Sequence, residues 1–112
     1  MSRPDAELLE DISAAITSIR SHLQHGPITV EIVMDAVAMR LLEFGEAVKA
    51  LSTGATGTEP EINWRGIAGM RDFFAHHYFA TNPEIVQAVI DNDLEPLEQA
   101  IRRLLANLPS ED

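Results

Sequence analysis

Residues 29–51, TVEIVMDAVAMRLLEFGEAVKAL, place apolar side chains at Val33, Val37, Leu41, Phe44, Val48 and Leu51, with Ile32, Ala36, Ala47 and Ala50 widening the stripe. Steps of three and four residues return to one side of a 3.6-residue turn, whereas a half-buried strand alternates every second residue. The stretch therefore predicts a helix over 29–52. At about 1.5 Å per residue it runs roughly 30 Å, about the width of a small domain. A stripe this wide has to be covered by other helices.

The flanks supply them. Toward the N-terminus, Leu8, Ile12, Ala15, Ile16, Ile19 and Leu23 repeat the same period, with Asp5 and Glu7 near the positive end of the predicted helix 3–24. His25-Gly26-Pro27 ends that helix, because glycine suits the position after a helix and the residue before proline disfavours the α region. So short a connection predicts an antiparallel pair. His22 and His25 read as helix-end residues that favour the dipole. Toward the C-terminus, STGATGTEP at 52–60 has no period, and 53–62 reads as a loop. Asn63 then caps a helix over 63–80, which holds Trp64 and almost all the other aromatic residues. Trp64 reads as a core or loop-anchoring side chain, and Phe73, Phe74 and Phe79 as core or interface aromatics. Thr81-Asn82-Pro83 interrupts the chain, Pro83 opens a short helix over 83–92, and Asp93 caps a last helix over 93–108 along Leu94, Leu97, Ile101, Leu104, Leu105 and Leu108. The tail from Pro109 to Asp112 is polar. The expectation is an all-α fold: one domain, 1–112, built as an antiparallel bundle of about four to five helices.

Composition agrees. A chain of 112 residues with 46% hydrophobic but only 5% aromatic residues builds its core from aliphatic side chains, which suits packed helices. The absence of cysteine excludes disulfides and thiolate metal sites. The start, MSRPDAELLEDI, has the apolar run of neither a signal peptide nor a membrane span, so a cytoplasmic protein without membrane attachment is expected. The formal net charge of -10 repels phosphate at long range and argues against broad nucleic-acid binding, unless the few cations converge on one cleft or a partner or dimer groove steers the substrate.

The chemistry concentrates in the segment RDFFAHHY, which holds Arg71, Asp72, His76, His77 and Tyr78. Arginine is permanently charged and forks onto phosphate, while the histidine pKa lies near neutrality, where proton transfer is efficient. The pair suits phosphoryl chemistry, and RNA cleavage by the substrate's own 2′-hydroxyl is a route that needs no metal or cofactor. A bundle metal site is disfavoured, since no Glu-x-x-His pair occurs and the adjacent His76 and His77 leave the helix on different faces. Asp72, four residues before His76, is placed to hold the imidazole in one tautomer. Five positions separate Arg71 from His76, well over a quarter-turn, so one straight helix cannot aim both at one phosphorus atom unless it bends or a second chain contributes. A homodimer with two facing motifs meets that constraint. Arg71 and Tyr78, seven positions apart, lie nearly in line about 10 Å from each other.

Arg71-Asp72-Phe73-Phe74-Ala75-His76 resembles the Arg-x4-6-His signature of the HEPN ribonucleases, and His76-His77-Tyr78 extends it to the Arg-x4-His-x-Tyr form of their HepT-like branch. RLLEFGEAVKAL, INWRGIAGMRDFFAHHYF and VIDNDLEPLEQAIRRLL resemble the same branch, most clearly from near Met39 to Leu105. The resemblance implies a metal-independent endoribonuclease in which His76 acts on the 2′-hydroxyl and Arg71 stabilises the phosphorus centre, leaving 2′,3′-cyclic phosphate and 5′-hydroxyl ends. It further implies a toxin paired with a minimal nucleotidyltransferase antitoxin that attaches AMP to Tyr78. Glu46 stands near the apolar stripe and either faces this site or lies on the solvated flank. The competing reading is a non-catalytic helical nucleotide-binding or scaffold subunit of a nucleotidyltransferase complex, with the acidity answering a basic partner.

Overall fold

Among the described residues, six helices follow in chain order: α1 (Asp5–Leu23), α2 (Glu31–Ala50), α3 (Thr53–Gly57), α4 (Trp64–His76), α5 (Pro83–Asn92) and α6 (Leu94–Ala106). The computed structural model describes residues 3–76 and 83–108, with side chains described for all of these but 74–76. No strand occurs among the described residues, in agreement with the all-α reading.

Each helix follows from local chemistry. α1 carries Asp5 and Glu7 in its first turn and Arg20 in its last, charges that oppose the helix dipole at both ends. Beyond it, Gly26 takes φ 144°, a region L-residues rarely enter, and Pro27 prevents the helix from resuming. This tight turn folds α2 back against α1. Ile12, Ile16 and Ile19 of α1 and Val37, Leu41 and Phe44 of α2 are essentially removed from solvent. α2 is the central element, with α1 on it and α4 packed along it; α6 lies on α1, and α5 on α6. Leu97, Ala100 and Ile101 of α6 and Val86 of α5 complete the aliphatic core, which holds no buried polar or charged side chain among the described residues. No helix among these residues is long and apolar enough to cross a membrane.

Several boundaries differ from the sequence reading: α1 spans Asp5–Leu23 rather than 3–24, and α6 ends at Ala106 rather than 108. The stretch 53–62, read as a loop, contains the five-residue helix α3, which raises the helix count among the described residues to six. Its cause is a cap: Ser52 Oγ accepts a hydrogen bond from the Ala55 N–H, and Ser52 is itself held by Asp5 of α1, through its backbone N–H at 3.0 Å and its hydroxyl at 2.5 Å. Asp93 does not cap α6 with its side chain. Its backbone sits in the helical basin and bonds in both directions, its N–H to the Val89 carbonyl and its carbonyl to the Leu97 N–H, so α5 runs almost directly into α6. Finally, α2 begins at Glu31 after Val30, two residues beyond the expected start. Residues 77–80 of the expected motif helix lie outside the described residues.

The segment between α3 and α4 is staked by polar contacts. Trp64 Nε1 donates to the Glu59 carbonyl at 2.9 Å, which makes Trp64 the loop anchor expected of it. The Glu59 carboxylate accepts from Nε of Arg103 on α6 at 3.0 Å and from Nη2 at 2.7 Å. Those hydrogen bonds hold the Glu59 carboxyl below its ordinary range. A depressed carboxyl pKa stabilises the fold above the unfolded value, about 4.3, and that contribution is lost as pH falls through the folded value. Arg103→Gln is therefore expected to lower the unfolding midpoint at neutral pH, a deficit that shrinks as pH falls from about 4.3 through the lowered folded value. Thermal melts of the two proteins across pH test it; a deficit that persists in acid would mean that Arg103 acts through packing.

Candidate active site

The motif helix begins where the sequence places its cap, with Asn63 Oδ1 accepting from the Gly66 N–H at 3.1 Å. Ile67 and Met70 are buried against α2 and fix the rotation of α4 about its axis. Arg71 follows Met70 by one position, or about 100° around the helix, and so emerges at the rim of the α2–α4 interface. Its side chain is 39% exposed.

The two helices meet closely at this rim. A Cβ on Gly45 of α2 would lie 3.1 Å from the Arg71 backbone nitrogen and 3.3 Å from both the Arg71 Cβ and the Ile67 carbonyl oxygen. A side chain here would require the facing backbone to give by a few tenths of an ångström, and glycine spares it that. The next residue, Glu46, accepts from Arg71 Nε at 2.5 Å, and Asp72 accepts from Arg71 Nη1 at 3.1 Å. Lys49, one turn beyond Glu46, stands 3.9 Å from the Asp72 carboxylate. Glu46, Arg71, Asp72 and Lys49 thus form a line of alternating charge with no net charge. The carboxylates of Asp72 first, then Glu46, raise the Arg71 pKa further above its ordinary value, so the guanidinium is a permanent cation.

Arg71 and Asp72 stand on the exposed margin of the motif helix. His76 is the last described residue of α4. Its side chain, together with His77 and Tyr78, lies outside the described residues, and so does the expected Asp72–His76 pairing. The partners that are described for Asp72 are Arg71 and Lys49. Glu46 combines both of its sequence readings: its side chain is 61% exposed on the flank of α2, and it touches the site. Sequence reasoning missed Gly45 and Lys49. The i, i+3 spacing of Glu46 and Lys49 places them on one side of α2, but which α4 residues they meet depends on the packing register. Among the described residues, no three His, Asp or Glu side chains gather as a metal-ligand set.

This arrangement offers an oriented, partly exposed cation on the same helix as a histidine, which is suited to an anionic ligand. Comparison with known proteins bears on which. The profile of the HepT-like ribonucleases matches residues 8–104. A protein of Methanocaldococcus jannaschii described as a candidate RNase is 37% identical over 71 residues, 60% of this chain and 59% of the relative. One of Caldanaerobacter subterraneus with a like description is 35% identical over 74 residues, 65% of this chain and 66% of the relative. The chain thus spans about three-fifths to two-thirds of those two relatives. A Thermococcus cleftensis protein named a probable ribonuclease HepT is 30% identical over 93% of this chain and 98% of its own length. No solved structure matches. Since the profile match runs from Leu8 in α1 to Leu104 in α6 and takes in the whole Arg71–Tyr78 segment, the chain belongs to the HepT-like ribonuclease family.

Proposed function

We propose that this protein is a metal-independent endoribonuclease toxin that cleaves RNA through attack of the 2′-hydroxyl on the adjacent phosphorus. The observation that carries the reading is Arg71, a half-exposed guanidinium clamped by two carboxylates on the helix that also carries His76. The 2′-oxygen forms a bond to phosphorus as the P–O5′ bond breaks. The imidazole of His76 takes the 2′-hydroxyl proton, the departing 5′-oxygen takes one from water, and the products are a 2′,3′-cyclic phosphate and a 5′-hydroxyl. Arg71 stabilises the negative charge that grows on the non-bridging oxygens. Asp72 supports the pair as a neighbouring carboxylate.

A second copy of the chain completes the site in this reading. α4 is continuous from Trp64 to His76, so Arg71 and His76 leave it about 140° apart, too far round the axis to converge on one phosphorus atom. A homodimer that brings Arg71 of one copy to His76 of the other resolves the geometry. The scaffold reading has one observation in its favour. Of the eight Lys and Arg residues, Arg65 alone lacks an ion pair among the described residues, which leaves little free positive charge to draw RNA.

The deciding experiment is RNA cleavage by purified dimer in EDTA with analysis of the product ends. Cleavage that survives chelation and leaves cyclic phosphates is expected. No cleavage by unmodified dimer would transfer the weight to the scaffold reading, and cleavage that chelation abolishes would sink the metal-independent mechanism.

Control of the toxin falls to a minimal nucleotidyltransferase antitoxin acting on Tyr78. The phenolic oxygen attacks the α-phosphorus of ATP, pyrophosphate leaves, and the phenolic proton passes to the transferase. The attached AMP brings bulk and negative charge to a phosphate site. After co-expression with an active transferase, mass spectrometry should find the peptide containing Tyr78 heavier by one AMP. An unmodified peptide, with AMP found elsewhere in the chain, would place control at another residue.

A further inference from the structure

We propose, resting on the ribonuclease reading, that Glu46 is a positioning residue whose carboxylate holds Nε of Arg71 and so aims the remaining guanidinium donors at the phosphate. The contact is short, at 2.5 Å, and joins two helices where they approach closely beside Gly45. Nε is the donor nearest the aliphatic stem, so fixing it stops the guanidinium plane from turning. Asp72 shares Nη1, and Nη2 has no partner among the described residues, which leaves a donor for a phosphate oxygen. The pair is too exposed to be a major support of the fold: Glu46 is 61% and Arg71 39% exposed, and ion pairs in such settings add little to stability. Orientation is what the contact supplies. Its cost is electrostatic, because a second carboxylate beside the cation repels the incoming phosphate.

Orientation and repulsion act on different kinetic constants, and this separates a positioning role from a structural one. Without the carboxylate, RNA meets less negative charge but a wandering guanidinium. Glu46→Ala is expected to lower kcat at least about tenfold, in keeping with the losses that small misplacements cause, while KM stays level or falls. Glu46→Gln keeps an oxygen that accepts from Nε, though more weakly than a carboxylate, and is expected to recover most of kcat with KM still low. Both should unfold close to the wild-type midpoint.

The experiment measures kcat and KM on a mixed-sequence single-stranded RNA for the wild-type, Glu46→Ala and Glu46→Gln dimers. It is joined to the Arg71 Nε–H signal in 15N NMR, assigned by its loss in Arg71→Lys. A slowly exchanging Nε–H in wild type and Glu46→Gln that is lost in Glu46→Ala, together with the kcat-selective defect, supports the proposal. Unchanged kcat in Glu46→Ala overturns it, and so does an equal loss in both variants with a fallen melting midpoint. If the wild-type protein cleaves no RNA, the ribonuclease reading fails by itself, and the NMR signal still decides whether Glu46 holds Arg71: a signal that persists in Glu46→Ala overturns the inference.

Discussion

Arg71→Ala is expected to lower RNA cleavage about 10²–10³-fold and His76→Ala about 10²–10⁴-fold, the ranges found when a preorganised charge donor or a general base is removed. The two losses should differ in kind. Removing Arg71 deletes the cation and leaves Glu46 and Asp72 facing the phosphate without their counterion, so binding suffers along with the chemical step. Arg71→Lys should rescue poorly, because an ammonium restores the charge without the planar fork that the two carboxylates and the phosphate share. Removing His76 leaves the charge pattern intact and takes away the proton acceptor, so kcat falls and KM changes little. Arg71 is half-exposed and no buried polar group depends on it, so its variant should unfold near the wild-type midpoint. Normal cleavage in either variant would remove that residue from the mechanism.

The same two variants test the composite dimer. When Arg71→Ala and His76→Ala chains exchange freely, half of the dimers are mixed, and each mixed dimer contains one site with both wild-type residues if those residues come from opposite chains. About a quarter of wild-type activity should then return. If both residues act within one chain, no intact site forms and mixing recovers nothing.

The sequence reading was strongest where one physical effect dominates. The three-and-four spacing from Val33 to Leu51 has only one way to bury its apolar side chains, and α2 is the central helix. His25-Gly26-Pro27 was legible as a break because a positive φ and a missing N–H are local properties. α3 was not legible. Its cap depends on Asp5, 47 residues away, and no window on STGATGTEP contains that partner. Asp93 misled for the opposite reason, since a good capping residue was overruled by the helical backbone that joins α5 to α6. At the site, residue types alone singled out Arg71, whereas its clamp required the register of α2 on α4. Glu46 could be suspected from its place beside the apolar stripe; its contact with Arg71 could not be.

Gly45 is where fold and site meet, and its substitution should damage both. Gly45→Leu drives a branched side chain toward the Arg71 nitrogen, 3.1 Å from the position of a Cβ, and toward the Ile67 carbonyl, and neither backbone atom can rotate away. α4 must shift outward. Overpacking of this kind costs about 1–3 kcal/mol, and a displacement near 1 Å at a catalytic group costs about 10²-fold in rate. Cleavage should therefore fall about as far as in Arg71→Ala although Arg71 is present. Gly45→Ala sets two effects against each other. It gains up to about 1 kcal/mol of helix propensity and meets the same crowding at its Cβ, so its stability should change little while its kcat falls. Gly69 supplies the contrast: it also lies in α4, but a Cβ there meets nothing within 4 Å, so Gly69→Ala should stabilise the helix by about 1 kcal/mol. Urea unfolding and cleavage assays on the three variants separate the effects. If Gly45→Leu unfolds as expected under urea yet cleaves at the wild-type rate, the close approach of α2 to α4 serves packing alone, and the aim of Arg71 is set elsewhere.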